Sequence, residues 1–156
     1  MAAAPKAALT EQSASERAAL TGEPVEVPSE RTEYTTTVAN PDGTFTLTQS
    51  TQPQRARAED GSWQDVDVTL EERSDGTVGP KAAVVDMAFS GGGDGSGLLS
   101  LGRDGQELRM GWPTSLPEPT LDGATATYAN VPVDGVDLQM TATAEGYREV
   151  LVVRSA

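Results

Sequence analysis

Short runs of apolar residues at period two, punctuated by Asp-Gly pairs, organise this chain. The stretch from Trp63 to Leu70 sets the pattern. Val66, Val68 and Leu70 fall on one face, Asp65, Asp67 and Thr69 on the other, and Asp60-Gly61 just before them supplies the tight turn of a β-hairpin. Trp63 lies an odd number of residues from Val66, so a straight strand would put it on the opposite face. A bulge near Gln64, or an indole covering that second face, is expected.

The same alternation predicts further strands. Tyr34–Val38 and Thr44–Thr48 flank Asn40-Pro41-Asp42-Gly43, with Phe45 and Leu47 sharing a face. Ser74-Asp75-Gly76-Thr77 turns the chain ahead of Val85, Met87 and Phe89 in alternation. Leu98–Leu101 and Leu108–Trp112 flank Arg103-Asp104-Gly105-Gln106 as another hairpin, and Pro113, Pro117 and Pro119 make an extended connection. Ala124–Tyr128, Gly135–Ala144 and Tyr147–Val153 complete the set. The last is the most apolar run in the chain, and such a strand is expected in the interior of a sheet, with the natural polypeptide continuing beyond it. The Gly-rich segment Ser90–Gly97 lacks the Lys-Ser/Thr of a phosphate loop and the repetition of a calcium nonapeptide, and is expected as a flexible hairpin tip.

The period is different at the start. Residues 1 to about 24 are Ala-rich and polar, and form a flexible leader or a short helix capped by Ser13 with Glu16 closing a capping box, ended by Gly22 and Pro24. The expected organisation is this leader at 1–24 followed by one β-rich domain at 25–156. The fold class is all-β, an antiparallel β-sandwich or a barrel-like stack of hairpins.

Composition narrows the chemistry. The 156 residues hold 14 Val, 12 Leu, 2 Phe and no Ile, a lean apolar supply that on composition alone borders on disorder. Period-two patterning and regular turns argue for folding. A net charge of −13 repels a phosphate backbone and an anionic lipid surface alike, so nucleic acid is excluded as a partner, and no apolar run is long enough to span a membrane. The chain has no Cys and no His. Cys nucleophiles, Ser-His-Asp triads and thiolate or imidazole metal sites are therefore excluded.

What is left for function is a surface. Trp63, Asp65, Asp67 and Trp112 form the candidate ligand or partner surface, with Tyr34, Tyr128 and Tyr147 as further aromatic positions for stacking sugars. Asp65 and Asp67 on one strand face are the one candidate carboxylate pair for a hydrolase, against the plainer account that they coat a solvated face. No catalytic residue, cofactor or metal ligand is assigned. Calcium held by Asp loops such as those at Asp94 and Asp104 is the alternative, without any twelve-residue loop to support it.

The order Asp60-Gly61-x-Trp63-x-x-Val66-Asp67-x-x-Leu70, preceded by Arg31-Thr32-Glu33 and Asn40-Pro41-Asp42-Gly43-Thr44, resembles the N-terminal region of large secreted bacterial wall-associated proteins carrying RHS/YD repeats, LamG-like jelly rolls or DNRLRE modules. Ala126-Thr127-Tyr128, Gly135-Val136-Asp137-Leu138 and Glu149–Val153 are similar to that group's closing hairpin, so the resemblance spans roughly residues 22 to 153. Nine Arg against two Lys suits a high-G+C actinobacterial source. The resemblance implies export, a cell-surface or extracellular location, and a non-catalytic structural or interaction role beside downstream domains of the same polypeptide. A carbohydrate- or cell-wall-binding module is the alternative, with cell-wall glycan as its partner. The Met-Ala-Ala-Ala start carries no signal peptide, unlike that group.

Overall fold

The computed structural model describes residues 10–154; the part of the expected leader that covers residues 1–9 lies outside them. The described chain is built from antiparallel strands with one α-helix near its start, and the all-β class holds. It divides into two compact units, one ending at Gln54 and the other beginning at Arg55.

In the first unit, helix α1 (Glu11–Thr21) is capped by Thr10, not by Ser13. Ser13 instead sits at the third helical position, where its hydroxyl accepts the Thr10 N–H at 2.9 Å and closes the capping box from the other side. Gly22, at φ 72°, ends the helix in the left-handed conformation. Ala14 and Ala18 lie one turn apart and pack with Val27 and Ala39, so small side chains let the helix lie close on the sheet. That sheet has the order β1 (Val25–Glu26), β2 (Thr35–Ala39), β3 (Phe45–Gln49). Register pairs Val25 with Ala39 and Ala39 with Phe45, which puts Phe45 and Leu47 on one face as expected. Both are nevertheless exposed, because β3 is the outer strand.

The second unit starts with a ribbon of β4 (Arg55–Arg57) and β5 (Trp63–Asp65). A five-stranded sheet follows, made from β6 (Asp67–Glu72), β7 (Val78–Ala82), β8 (Asp86–Phe89), β9 (Leu99–Arg103) and β10 (Gln106–Met110), neighbours in that sequence. A four-stranded sheet is made from β11 (Thr120–Asp122), β12 (Thr125–Tyr128), β13 (Val136–Thr143) and β14 (Gly146–Val153). Both sheets contribute to one buried layer that includes Met87, Phe89 and Leu99 from the first and Tyr128, Leu138 and Met140 from the second, a sandwich-like core. The Tyr128 hydroxyl ties across it, donating to the Ser90 carbonyl oxygen at 2.6 Å.

Two expectations change here. The Gly-rich segment is packed and not a free tip: a Cβ on Gly91 would lie 1.8 Å from the Gly76 oxygen, and one on Gly95 would lie 2.1 Å from the Thr114 oxygen. Glycine is what allows these backbones to touch. Strand β14 is the outer strand of its sheet and not an interior one. Along the row Tyr128, Leu138, Leu151 the exposure goes from 0% to 0% to 48%, so the core layer runs out before it reaches β14.

Candidate functional site

Four of the Asp-Gly corners share one construction, Asp-Gly-Ser/Thr, at Asp42, Asp60, Asp75 and Asp94. In each, the glycine has φ between 80° and 84° and the aspartate Oδ1 accepts the backbone N–H of the residue after it at 2.9–3.0 Å. At Asp42, Asp60 and Asp75 the same oxygen also accepts the Thr44, Ser62 and Thr77 hydroxyl at 2.6 Å. At Gly43, Gly61 and Gly76 the glycine N–H donates back to the carbonyl three residues earlier, giving a β-turn closed by a left-handed glycine. These hydroxyl and amide bonds hold the carboxyls of Asp42, Asp60, Asp75 and Asp94 below the usual carboxylate range. Asp67 uses the same device without glycine, with Thr69 as its partner and Lys81 adding a smaller favourable charge. Asp104-Gly105 is different: φ values of 52° and 77° and the Arg103–Gln106 pairing define a two-residue type I′ turn.

The four surface candidates do not converge. Trp63 is half-buried and pairs with Arg57, whose guanidinium carbon lies 3.7 Å from the ring centroid while Nη1 donates to the Gly61 oxygen at 2.7 Å. One indole face is therefore taken by a cation. Asp65 stands opposite Arg55 at the end of β5, and Asp67 begins β6 in another sheet, so the strand expected to carry both breaks at Val66. The bulge expected near Gln64 is not there: Gln64 pairs regularly with Ala56, and the register shift lies beyond the break, between Asp67 and Leu70. Val66, Val68 and Leu70 still turn inward relative to the exposed Asp65, Asp67 and Thr69. Trp112 packs against the core, and its Nε1 is buried with no hydrogen-bond partner among the described residues.

No protein-family model, curated protein or solved structure matches this chain significantly.

Beside the ribbon is an open, mostly polar cleft of about 410 Å³ that includes Arg57, Arg73, Lys81, Glu59 and Asp86 in its wall. Arg73 meets Asp86 at 3.5 Å and Arg57 is engaged by the Trp63 ring and the Gly61 oxygen, so the charges in this wall are largely committed to one another and to the ribbon. Arg57 was legible in advance: a hairpin centred on Asp60 pairs residues whose numbers sum to 120, and so sets 57 against 63. Arg73 and Lys81 were not, because β7 runs through Gly79 and Pro80, residues that argue against a strand. Among the described residues no three Asp or Glu side chains are placed to hold a metal ion together, and the Asp loops at Asp94 and Asp104 stand apart.

Proposed function

We propose that this chain is a non-catalytic structural and interaction module of a large exported cell-surface protein, working beside other domains of the same polypeptide. The observation that carries this reading is β14. It is paired on one side only, and Val150, Leu151 and Val153 are 41%, 48% and 64% exposed. The Arg154 N–H donates inward to the Gly135 oxygen at 2.8 Å. By alternation the N–H and C=O groups of Tyr147, Glu149, Leu151 and Val153 face outward along an unpaired edge. An edge this apolar is a template for another strand, and the partner in this reading is a strand of a neighbouring domain. The dispersal of carboxylates into their own turns supports it further, since a carboxylate hydrolase needs two of them free and facing one substrate.

Amide hydrogen exchange tests the proposal. In this chain alone the four outward amides exchange fast; in the parent polypeptide they become protected while those of Arg148, Val150 and Val152 change little. Unchanged exchange at all four positions rejects it. A glycan array separates the alternative module: a structural module leaves every cell-wall sugar unbound.

A further inference from the structure

The seven Asp-Gly pairs are also seven places where a protein chain can rearrange chemically. The glycine nitrogen attacks the Cγ of the preceding aspartic acid, forming an N–Cγ bond and expelling water made from the carboxyl hydroxyl and the amide proton. Water then opens the resulting succinimide. Cleavage of the N–Cγ bond restores aspartate; cleavage of the bond between the nitrogen and the original main-chain carbonyl carbon leaves isoaspartate, with the backbone routed through the side chain. Mass is conserved over the two steps and nothing is oxidised or reduced. Glycine favours the attack because it lacks a Cβ to obstruct it.

Geometry divides the seven. At Asp42, Asp60, Asp75 and Asp94 the carboxylate is pinned by the residue two positions on, so Cγ is not free to turn toward the glycine nitrogen. At the first three, that nitrogen already donates to Asn40, Ala58 and Arg73 carbonyls at 3.1, 2.9 and 3.0 Å. These carboxyls are also held ionised, the form that resists attack. Asp122 is fixed in the β11–β12 ladder opposite Thr125, and the Asp104 carboxylate meets the Arg103 guanidinium at 3.5 Å. Asp134 differs from all six. It is exposed in the segment between β12 and β13, outside any ladder, and its carboxylate makes no hydrogen bond or ion pair among the described residues. The Gly135 N–H reaches only the Asn130 Oδ1, at 3.2 Å, an oxygen shared with the Arg154 guanidinium.

We propose that Asp134 is the isoaspartate-forming site of this chain, rearranging ahead of the other Asp-Gly pairs. The product inserts one carbon into the backbone next to Gly135, whose carbonyl receives the Arg154 N–H. Rearrangement at Asp134 therefore loosens the end of the β13–β14 ladder.

Folded protein held for weeks at neutral pH, digested and mapped by electron-transfer mass spectrometry, reports isoaspartate position by position. Asp134 accumulates it several-fold faster than Asp42, Asp60, Asp75 and Asp94. A parallel sample in concentrated urea loses that ranking, because the turns no longer exist. Ser62→Ala, which removes the exposed hydroxyl and leaves the Asp60 carboxylate held by the Ser62 N–H alone, raises the signal at Asp60 alone. Equal accumulation at the four pinned sites, a ranking that survives urea, or an unmoved Asp60 in Ser62→Ala each overturns the proposal.

Discussion

Replacing Tyr128 with Phe isolates the bond that ties the two sheets of the second unit. The ring is fully buried and its hydroxyl donates to the Ser90 oxygen at 2.6 Å; Ser90 itself is 7% exposed. Phe keeps the ring's packing but removes the donor. The loss combines a net hydrogen bond with the desolvation of a carbonyl left facing hydrocarbon, and comes to about 2 kcal/mol. On a unit of this size that lowers Tm by roughly 10 °C. Urea unfolding followed by Trp fluorescence reads it as a lower midpoint at unchanged slope. The pH dependence gives a second readout. Burial raises the Tyr128 pKa above its ordinary value of 10.0, so the unfolded chain loses this proton first. The contribution is complete below pH ~10 and disappears as pH rises from there toward the folded value, and Tyr128→Phe lacks that part of the alkaline loss. A change under about 0.5 kcal/mol, with an alkaline limb identical to wild type, would show that the hydroxyl does not hold the sheets together.

Gly95→Ala places a Cβ 2.1 Å from the Thr114 oxygen at φ 84°. It is expected to destabilise by about 3 kcal/mol or more, whereas Gly61→Ala, with nothing within 4 Å, costs about 1 kcal/mol from its φ alone; equal urea midpoints for the two variants would remove the claim that the Gly-rich segment is packed. Acid unfolding depends on the pinned carboxylates. Hydrogen bonds lower the folded pKa values of Asp42, Asp60, Asp67, Asp75 and Asp94 below their unfolded values, so their stabilisation is present above about pH 4 and is lost as pH falls through the lowered values. The double variant Ser62→Ala/Thr77→Ala should therefore show a shallower acid limb in a circular dichroism titration. Trp112→Phe removes a buried donor that has no acceptor among the described residues, and stays within about 1 kcal/mol of wild type by urea unfolding; a loss above about 3 kcal/mol would overturn that expectation.

Much of the fold was written locally, and what was not depends on contacts between distant residues. The hairpins around Asp42-Gly43 and Asp104-Gly105 are where the sequence puts them, because turn chemistry and alternation agree within a dozen residues. Val85, Met87 and Phe89 all turn inward, as their spacing implies. Strand β7 was hidden by Gly79 and Pro80, residues whose ordinary meaning is a break. The packing of Ser90–Gly97 was hidden too, since its glycines touch residues 76 and 112–118 and nothing nearby in sequence marks those partners. The cap at Thr10 was missed for a simpler reason: Ser13 has cap chemistry, but the helix begins early enough to place it inside the first turn. At the candidate surface, alternation gave the correct faces for Asp65 and Asp67, and could not reveal that the chain changes sheets between them.

The edges of the second unit are unequal, and this gives its sheets a direction. Strand β10 carries Glu107 and Arg109 along its length. Strand β6 carries Asp67, Glu71 and Glu72, breaks register, and has its Leu70 N–H already donated to the Gly123 oxygen. Strand β11 is only three residues long. Each of these is an ordinary way to discourage pairing. Strand β14 is eight residues long, has its charges at Arg148 and Glu149 in its first half, and then runs Val150-Leu151-Val152-Val153 without interruption. The thin core explains why those side chains are not buried from within: Met140 faces inward, but its neighbour across the ladder is Glu149. An added strand gains a longer run of backbone bonds and more apolar cover at β14 than at the three-residue β11. The interaction module proposed above would therefore extend its four-stranded sheet at β14.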